Sequence, residues 1–133
     1  MPNEPRWLTP AEVIELNRAA VAATGEPFVV LNEGLLESAC DRPRNLFLYE
    51  GEQDMAVLAT RLLVGIARNH AFGQGNKRAA FAAADAFLYV NGYDLVLADT
   101  VEMADLITRV IASQAPESDL EALLAEAVRS LSD

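Results

Sequence analysis

Residues 70–90 read HAFGQGNKRAAFAAADAFLYV. The part from Asn76 onward is apolar nearly all round, with alanine the commonest residue. It is therefore expected to be a helix packed among other helices, because such a helix cannot leave a face in water. Its small side chains allow close approach by neighbours, and Asn91-Gly92 supplies a C-terminal stop. On the other side of the stretch, residues 52–69 carry Met55, Leu58, Leu62 and Ile66 at helical spacing, with Asp54, Arg61 and Arg68 on the opposite, wet face. Two adjacent helices joined by a glycine-containing loop set the class as all-α.

Working outward, Thr9-Pro10-Ala11-Glu12 is a capping box with proline at the first helical position. Leu8 and Val13 supply a hydrophobic staple. The helix that starts there is expected to run to about residue 24, where Gly25 and Pro27 stop it. Residues 32–40 suit a short helix with Asn32 as N-cap. Asp41-Arg42-Pro43-Arg44-Asn45 reads as a turn-rich break, and Leu46-Phe47-Leu48-Tyr49 as a β-strand or hairpin arm ended by Gly51. Two further helices are marked by capping boxes, Asp99 to Glu102 and Ser118 to Glu121. With no repeat, low-complexity segment or linker, the expectation is one domain over residues 1–133: a mainly helical bundle with a short β-hairpin near 46–50.

Composition narrows the function. With 133 residues and 52% apolar content the chain can bury one core and is not a disordered segment. No stretch reaches the roughly 20 uncharged apolar residues of a membrane helix. The N-terminus MPNEPRWLTP lacks the basic-then-apolar layout of a signal peptide, so a cytosolic protein is the default expectation. Cys40 is the single cysteine, which excludes an intramolecular disulfide or a thiolate metal cluster; it reads as a small buried hydrophobe. Twenty acids against ten bases give a net charge of −10, which disfavours nucleic acid and anionic membranes as partners.

Against that acidity the loop stands out. Lys77 is the only lysine and His70 the only histidine, and Arg78 is adjacent. Gly73 and Gly75 permit positive φ and close backbone approach. A helix N-terminus follows, whose N–H groups and dipole favour an anion. Cations in that first turn oppose the dipole, so an anion such as a polyphosphate between them would account for their placement. The physical reading is a phosphate cradle with an imidazole at its rim. A glycine-rich interhelical turn with surface cations and a histidine C-cap is the bland alternative, and the residues alone leave both open.

HAFGQGNKR resembles the motif of the Fic/Doc family, HxFx(D/E)(G/A)N(G/K)R. Of seven fixed positions six match, namely His70, Phe72, Gly75, Asn76, Lys77 and Arg78. Lys77, where adenylylating Fic proteins usually have glycine, points to the Doc (death-on-curing) branch. WLTPAEVIELN near the start and NGYDLV after the motif helix are placed as in Doc-type toxins, and the similarity covers nearly the whole chain. The resemblance implies a toxin of a toxin–antitoxin pair that transfers the γ-phosphate of ATP, bound in reverse relative to Fic enzymes, to a threonine of elongation factor Tu. It implies His70 as general base, and Phe72 as the anchor of the loop. The backbone of Gly73 and Gly75, with Asn76, would form an anion hole, and Lys77 and Arg78 would neutralise phosphate charge. The strip 46–50 falls where the family has its flap, an edge that aligns a target peptide; an ordinary hairpin is the equal alternative. Partners implied are a Phd-like antitoxin acting in trans and the target translation factor.

Gln74 departs from the pattern. The family acid there holds Mg²⁺ against the nucleotide, and a neutral amide brings no charge to a hard cation. Weaker metal binding, completion of the site by another acid, or a domain that binds nucleotide or protein without efficient transfer all remain open. So does AMP transfer of the Fic type. Asp85, about 12 Å further along the helix, is too distant to substitute and is expected to be a buried, hydrogen-bonded carboxylate. The family's self-inhibitory pattern (S/T)xxxE(G/N) is not met, because Val29 and Leu46 stand where Ser or Thr is needed. Arg42 and Arg44 either help dock the antitoxin or belong to a solvated turn.

Overall fold

A computed structural model describes residues 3–97 and 100–131. Its elements run α1 (Pro10–Thr24), α2 (Glu33–Glu50), α3 (Met55–Asn69), α4 (Asn76–Val90), β1 (Tyr93–Leu95), α5 (Val101–Ile111), α6 (Glu117–Ala127) and β2 (Val128–Ser130). The all-α class holds, with one two-stranded antiparallel pair, Tyr93 opposite Ser130 and Leu95 opposite Val128. Among the described residues no helix is long and apolar enough to cross a membrane.

The helix at the centre is α3 rather than α4. Ten of its 15 residues are buried, including Leu58, Leu62, Leu63 and Ile66. It packs against α2, α4, α5 and α6. Its polar face is only half wet, because Arg61 and Arg68 reach Glu117 of α6 at 3.6 and 3.7 Å. By contrast α4 buries Ala79, Ala80, Ala83, Ala84, Phe87 and Leu88 and leaves its other side open. Asp85 lies on that open side and is exposed, so the expectation of a buried carboxylate fails.

Both ends of α1 follow the sequence. Thr9 accepts from the Glu12 N–H at 3.2 Å while Glu12 accepts from the Thr9 N–H at 3.0 Å. Gly25 closes the helix at φ 72°.

The largest departure is α2, which continues through residues 41–45 and takes in the strip 46–50. The hairpin or flap expected there is instead the C-terminal end of a helix. Asn32 does cap it, accepting from the Leu35 N–H at 3.0 Å. Pro43 removes a backbone donor and costs about 3 kcal/mol in a helix interior. Leu36, Ala39, Cys40, Pro43 and Leu46 nevertheless form one buried stripe at helical spacing. Each large apolar side chain fully buried contributes about 1.5–3 kcal/mol, so the stripe outweighs the proline. Arg42 lies across Gly65 of α3, where a Cβ would come within 3.2 Å of the Arg42 Cδ. It is therefore a packing residue, not part of a solvated turn. Cys40 is buried as expected, its thiol pushed up to about 12 by burial first and Asp41 second.

Two caps also differ. The α5 N-cap is Thr100, accepting from the Met103 N–H at 3.2 Å, while Asp99 lies outside the described residues. The α6 helix begins at Glu117 behind Pro116 and has no side-chain cap, so Ser118 is already inside it.

Candidate active site

The loop between α3 and α4 is built from its anchors. His70 ends α3 in the left-handed region, φ 48°, and its side chain is exposed. Phe72 is driven into the core and is 1% exposed. The Asn76 side chain secures it on both sides, accepting from the Phe72 N–H at 3.1 Å and donating to the Phe72 carbonyl at 2.9 Å. The extended segment between α1 and α2 fastens the same loop. Leu31 N–H donates to the Ala71 carbonyl at 2.7 Å and Gly73 N–H to the Val29 carbonyl at 2.9 Å, with Val30 bridged to Phe72.

These bonds change the cradle expected from sequence. The Gly73 N–H is engaged by Val29 and the Asn76 side chain by Phe72, which leaves the backbone N–H of Asn76 in the uncapped first turn of α4. A Cβ at Gly73 would lie 3.2 Å from the Val29 Cβ, so a side chain there would need Val29 to shift. What remains open is the start of α4. Its N-cap is Gly75 at φ 76°, ψ 21°, with no side-chain cap, and the first backbone bond inside the helix is Ala79 N–H to the Gly75 carbonyl at 2.9 Å. Uncapped N–H groups at a helix N-terminus favour an anion.

The two cations diverge from that point. Lys77 Nζ donates to the Thr108 hydroxyl of α5 at 3.0 Å. Arg78 turns back to α1, donating to the Ala20 carbonyl at 3.0 Å and the Thr24 hydroxyl at 2.9 Å. It also pairs with Glu26, whose carboxyl is held below its usual range by the Thr24 hydroxyl and then by Arg78. Neither the Thr24–Glu26 clamp nor Thr108 was signalled by sequence, since both join the motif to distant segments.

Two adjoining cavities open beside the cations and share Lys77, Phe81 and Leu97. One, of about 420 Å³, is walled by Thr100, Met103 and Ile107. The other, of about 500 Å³, reaches Arg78, Leu95 and Asp85, whose carboxyl is raised by partial burial first and Asp94 second. Gln74 is exposed on the loop. Among the described residues no group of three His, Cys, Asp or Glu is arranged to hold a metal ion. With an amide at position 74, the donor set does not fit Mg²⁺ held by the protein alone. The uncapped helix end lies beside a partly apolar space.

The sequence profile of the Fic/DOC family matches residues 7–88, from Trp7 before α1 to Leu88 in α4. The chain belongs to the Fic/DOC family. Within it the Doc branch is shown by two relatives. One, "Toxin Doc" of Mycolicibacterium smegmatis (strain ATCC 700084 / mc(2)155), is 35% identical over 112 residues, covering 84% of each chain. The other, "Protein kinase doc" of Escherichia phage P1, is 33% identical over 101 residues, covering 76% of this chain and 79% of the phage protein. In this Fic/DOC protein the profile match spans the motif loop, the helices on either side of it and the α1 segment that carries the Arg78 contacts.

Proposed function

We propose that this chain is a Doc-like toxin that transfers the γ-phosphate of ATP to a threonine hydroxyl of a translation protein such as elongation factor Tu. The observation that carries this reading is the α4 N-terminus: uncapped, opened by a left-handed glycine, with two cations in its first turn and a solvent-facing histidine at the other end of the same loop. His70 accepts the proton of the attacking hydroxyl. The hydroxyl oxygen bonds to the γ-phosphorus as the bond to the β–γ bridging oxygen breaks, and ADP leaves with that electron pair. The α4 N–H groups, Lys77 and Arg78 stabilise charge on the phosphoryl oxygens, which is the main catalytic task in phosphoryl transfer. For this, Lys77 leaves Thr108 and Arg78 exchanges Glu26 for phosphate.

The target strand has a natural place. Val30 forms its bridge to Phe72 as a pair flanked by, and not making, the hydrogen bonds. Its own N–H and carbonyl therefore face away from the loop, where an extended peptide can add. A Phd-like antitoxin in trans restrains the toxin in this reading, which also places it in the cytoplasm with its target.

The test is incubation with elongation factor Tu and ATP labelled at either the α- or the γ-phosphate. Threonine-bound γ-label is the expected result. Transfer of α-label would make the chain an adenylyltransferase, and no transfer at any Mg²⁺ or Mn²⁺ concentration would overturn the enzyme reading. Gln74 favours a second reading, a Fic-fold domain that binds nucleotide with impaired transfer. Gln74→Asp adds a ligand charge, and the Mg²⁺ needed for half-maximal transfer is expected to fall on the order of tenfold. An unchanged Mg²⁺ titration would show that position 74 does not touch the metal.

A further inference from the structure

Within the apolar stripe that α1 turns to the core, Val13, Asn17 and Val21, one residue breaks the pattern. Asn17 is 0% exposed. The other fully buried polar residue among those described, Thr60, satisfies its hydroxyl one turn back on the Ala56 carbonyl at 2.8 Å. Asn17 has no such local solution. Its Nδ2 crosses to the motif loop and donates to the Gln74 carbonyl at 2.8 Å, and its Oδ1 is left without a partner. A buried, unpaired amide oxygen is unfavourable, so on stability alone a leucine of similar volume serves better. The residue is better explained by what it does to the loop.

The peptide it grips joins Gln74 to Gly75. In a planar trans peptide the carbonyl and the N–H point in opposite directions. With the Gln74 oxygen drawn toward α1, the Gly75 N–H is turned away from α1, at the end of α4 where the anion site lies. The same amide fills the space beside Gly75, where a Cβ would come 3.0 Å from Nδ2 and 3.1 Å from the Val21 Cγ1. We propose that Asn17 is a positioning residue, which holds the Gln74–Gly75 peptide so that the N–H groups opening α4 face the bound phosphate. The proposal rests on the phosphate-binding reading of the loop and adds to it a residue outside the motif.

The test uses the full chain with Asn17→Leu and Asn17→Ala, read by calorimetry with ATP and with inorganic pyrophosphate, and by thermal melting. Both variants lose the donor, but leucine fills the space and alanine does not, so their melting temperatures are expected to move apart. Affinity for both probes is expected to fall about tenfold in each variant, the scale of one hydrogen bond to a charged group. In the transfer assay the loss is expected in KM for ATP more than in kcat. Affinities equal to wild type in a folded variant, or losses that follow melting temperature, would overturn the role of Asn17. A wild-type protein that binds neither probe would overturn the phosphate reading itself, and this role with it.

Discussion

Alanine at position 70 is expected to lower transfer of γ-label to the target by roughly 10²–10⁴-fold, the usual contribution of a positioned general base, while ATP affinity stays near wild type. The two readouts separate because the imidazole lies at one end of the loop and the α4 N-terminus at the other. No hydrogen bond from the described residues ties the exposed His70 side chain, so its removal breaks no internal hydrogen bond. The backbone does need care, since position 70 is left-handed at φ 48°. His70→Asn is the companion variant, because asparagine tolerates that conformation and lacks the basic ring nitrogen. Loss of transfer in both variants with ATP binding retained supports the base role. Transfer at the wild-type rate in either one would exclude it.

Phe72→Ala is expected to have the largest effect on stability, about 3–5 kcal/mol, as for a large aromatic removed from a close-packed core. Its ring is among the largest fully buried side chains. The loss would show as a lower urea midpoint at unchanged slope. Because Phe72 sits between the Asn76 clamp and the Val30 bridge, its removal is also expected to weaken ATP binding without touching any group that meets phosphate. Phe72→Leu keeps much of the volume and is expected to retain most of both properties. A Phe72→Ala protein as stable as wild type would show that the loop is not held from the core.

The parts of the fold that sequence revealed are those where local and tertiary preferences agree. The capping box at Thr9, the Gly25 stop and the bounds of α4 are all local signals that packing leaves in place. Residues 41–50 misled because proline and asparagine argue locally for a break, while the stripe Leu36, Ala39, Cys40, Pro43 and Leu46 argues for a helix; burial against α3 decides it. The site divides in the same way. Its motif is contiguous and was visible, but the Gly73 N–H bonds to Val29, a partner that depends on chain crossing, and the Asn76 side chain bonds to Phe72 four residues away, while the Asn76 backbone N–H stays in the uncapped first turn of α4. No local signal marked Asn17, because only the fold shows that it is buried and reaches Gln74. The solvated-turn reading of Arg42 gave way for the same reason, since it packs over a glycine on another helix.

The backbone of residues 71–76 is pinned by Leu31, Val29, Asn17 and the Asn76 side chain before any ligand arrives. The conformational entropy of that loop is thus lost on folding and need not be lost again on association. In the proposed reading only the Lys77 and Arg78 side chains, now on Thr108 and Glu26, would have to change partners when phosphate binds. Rotamer exchange of exposed side chains takes picoseconds to nanoseconds, so in the proposed reading no slow ordering of the loop would delay nucleotide binding. The molecule waits as a rigid receptor with two movable cations.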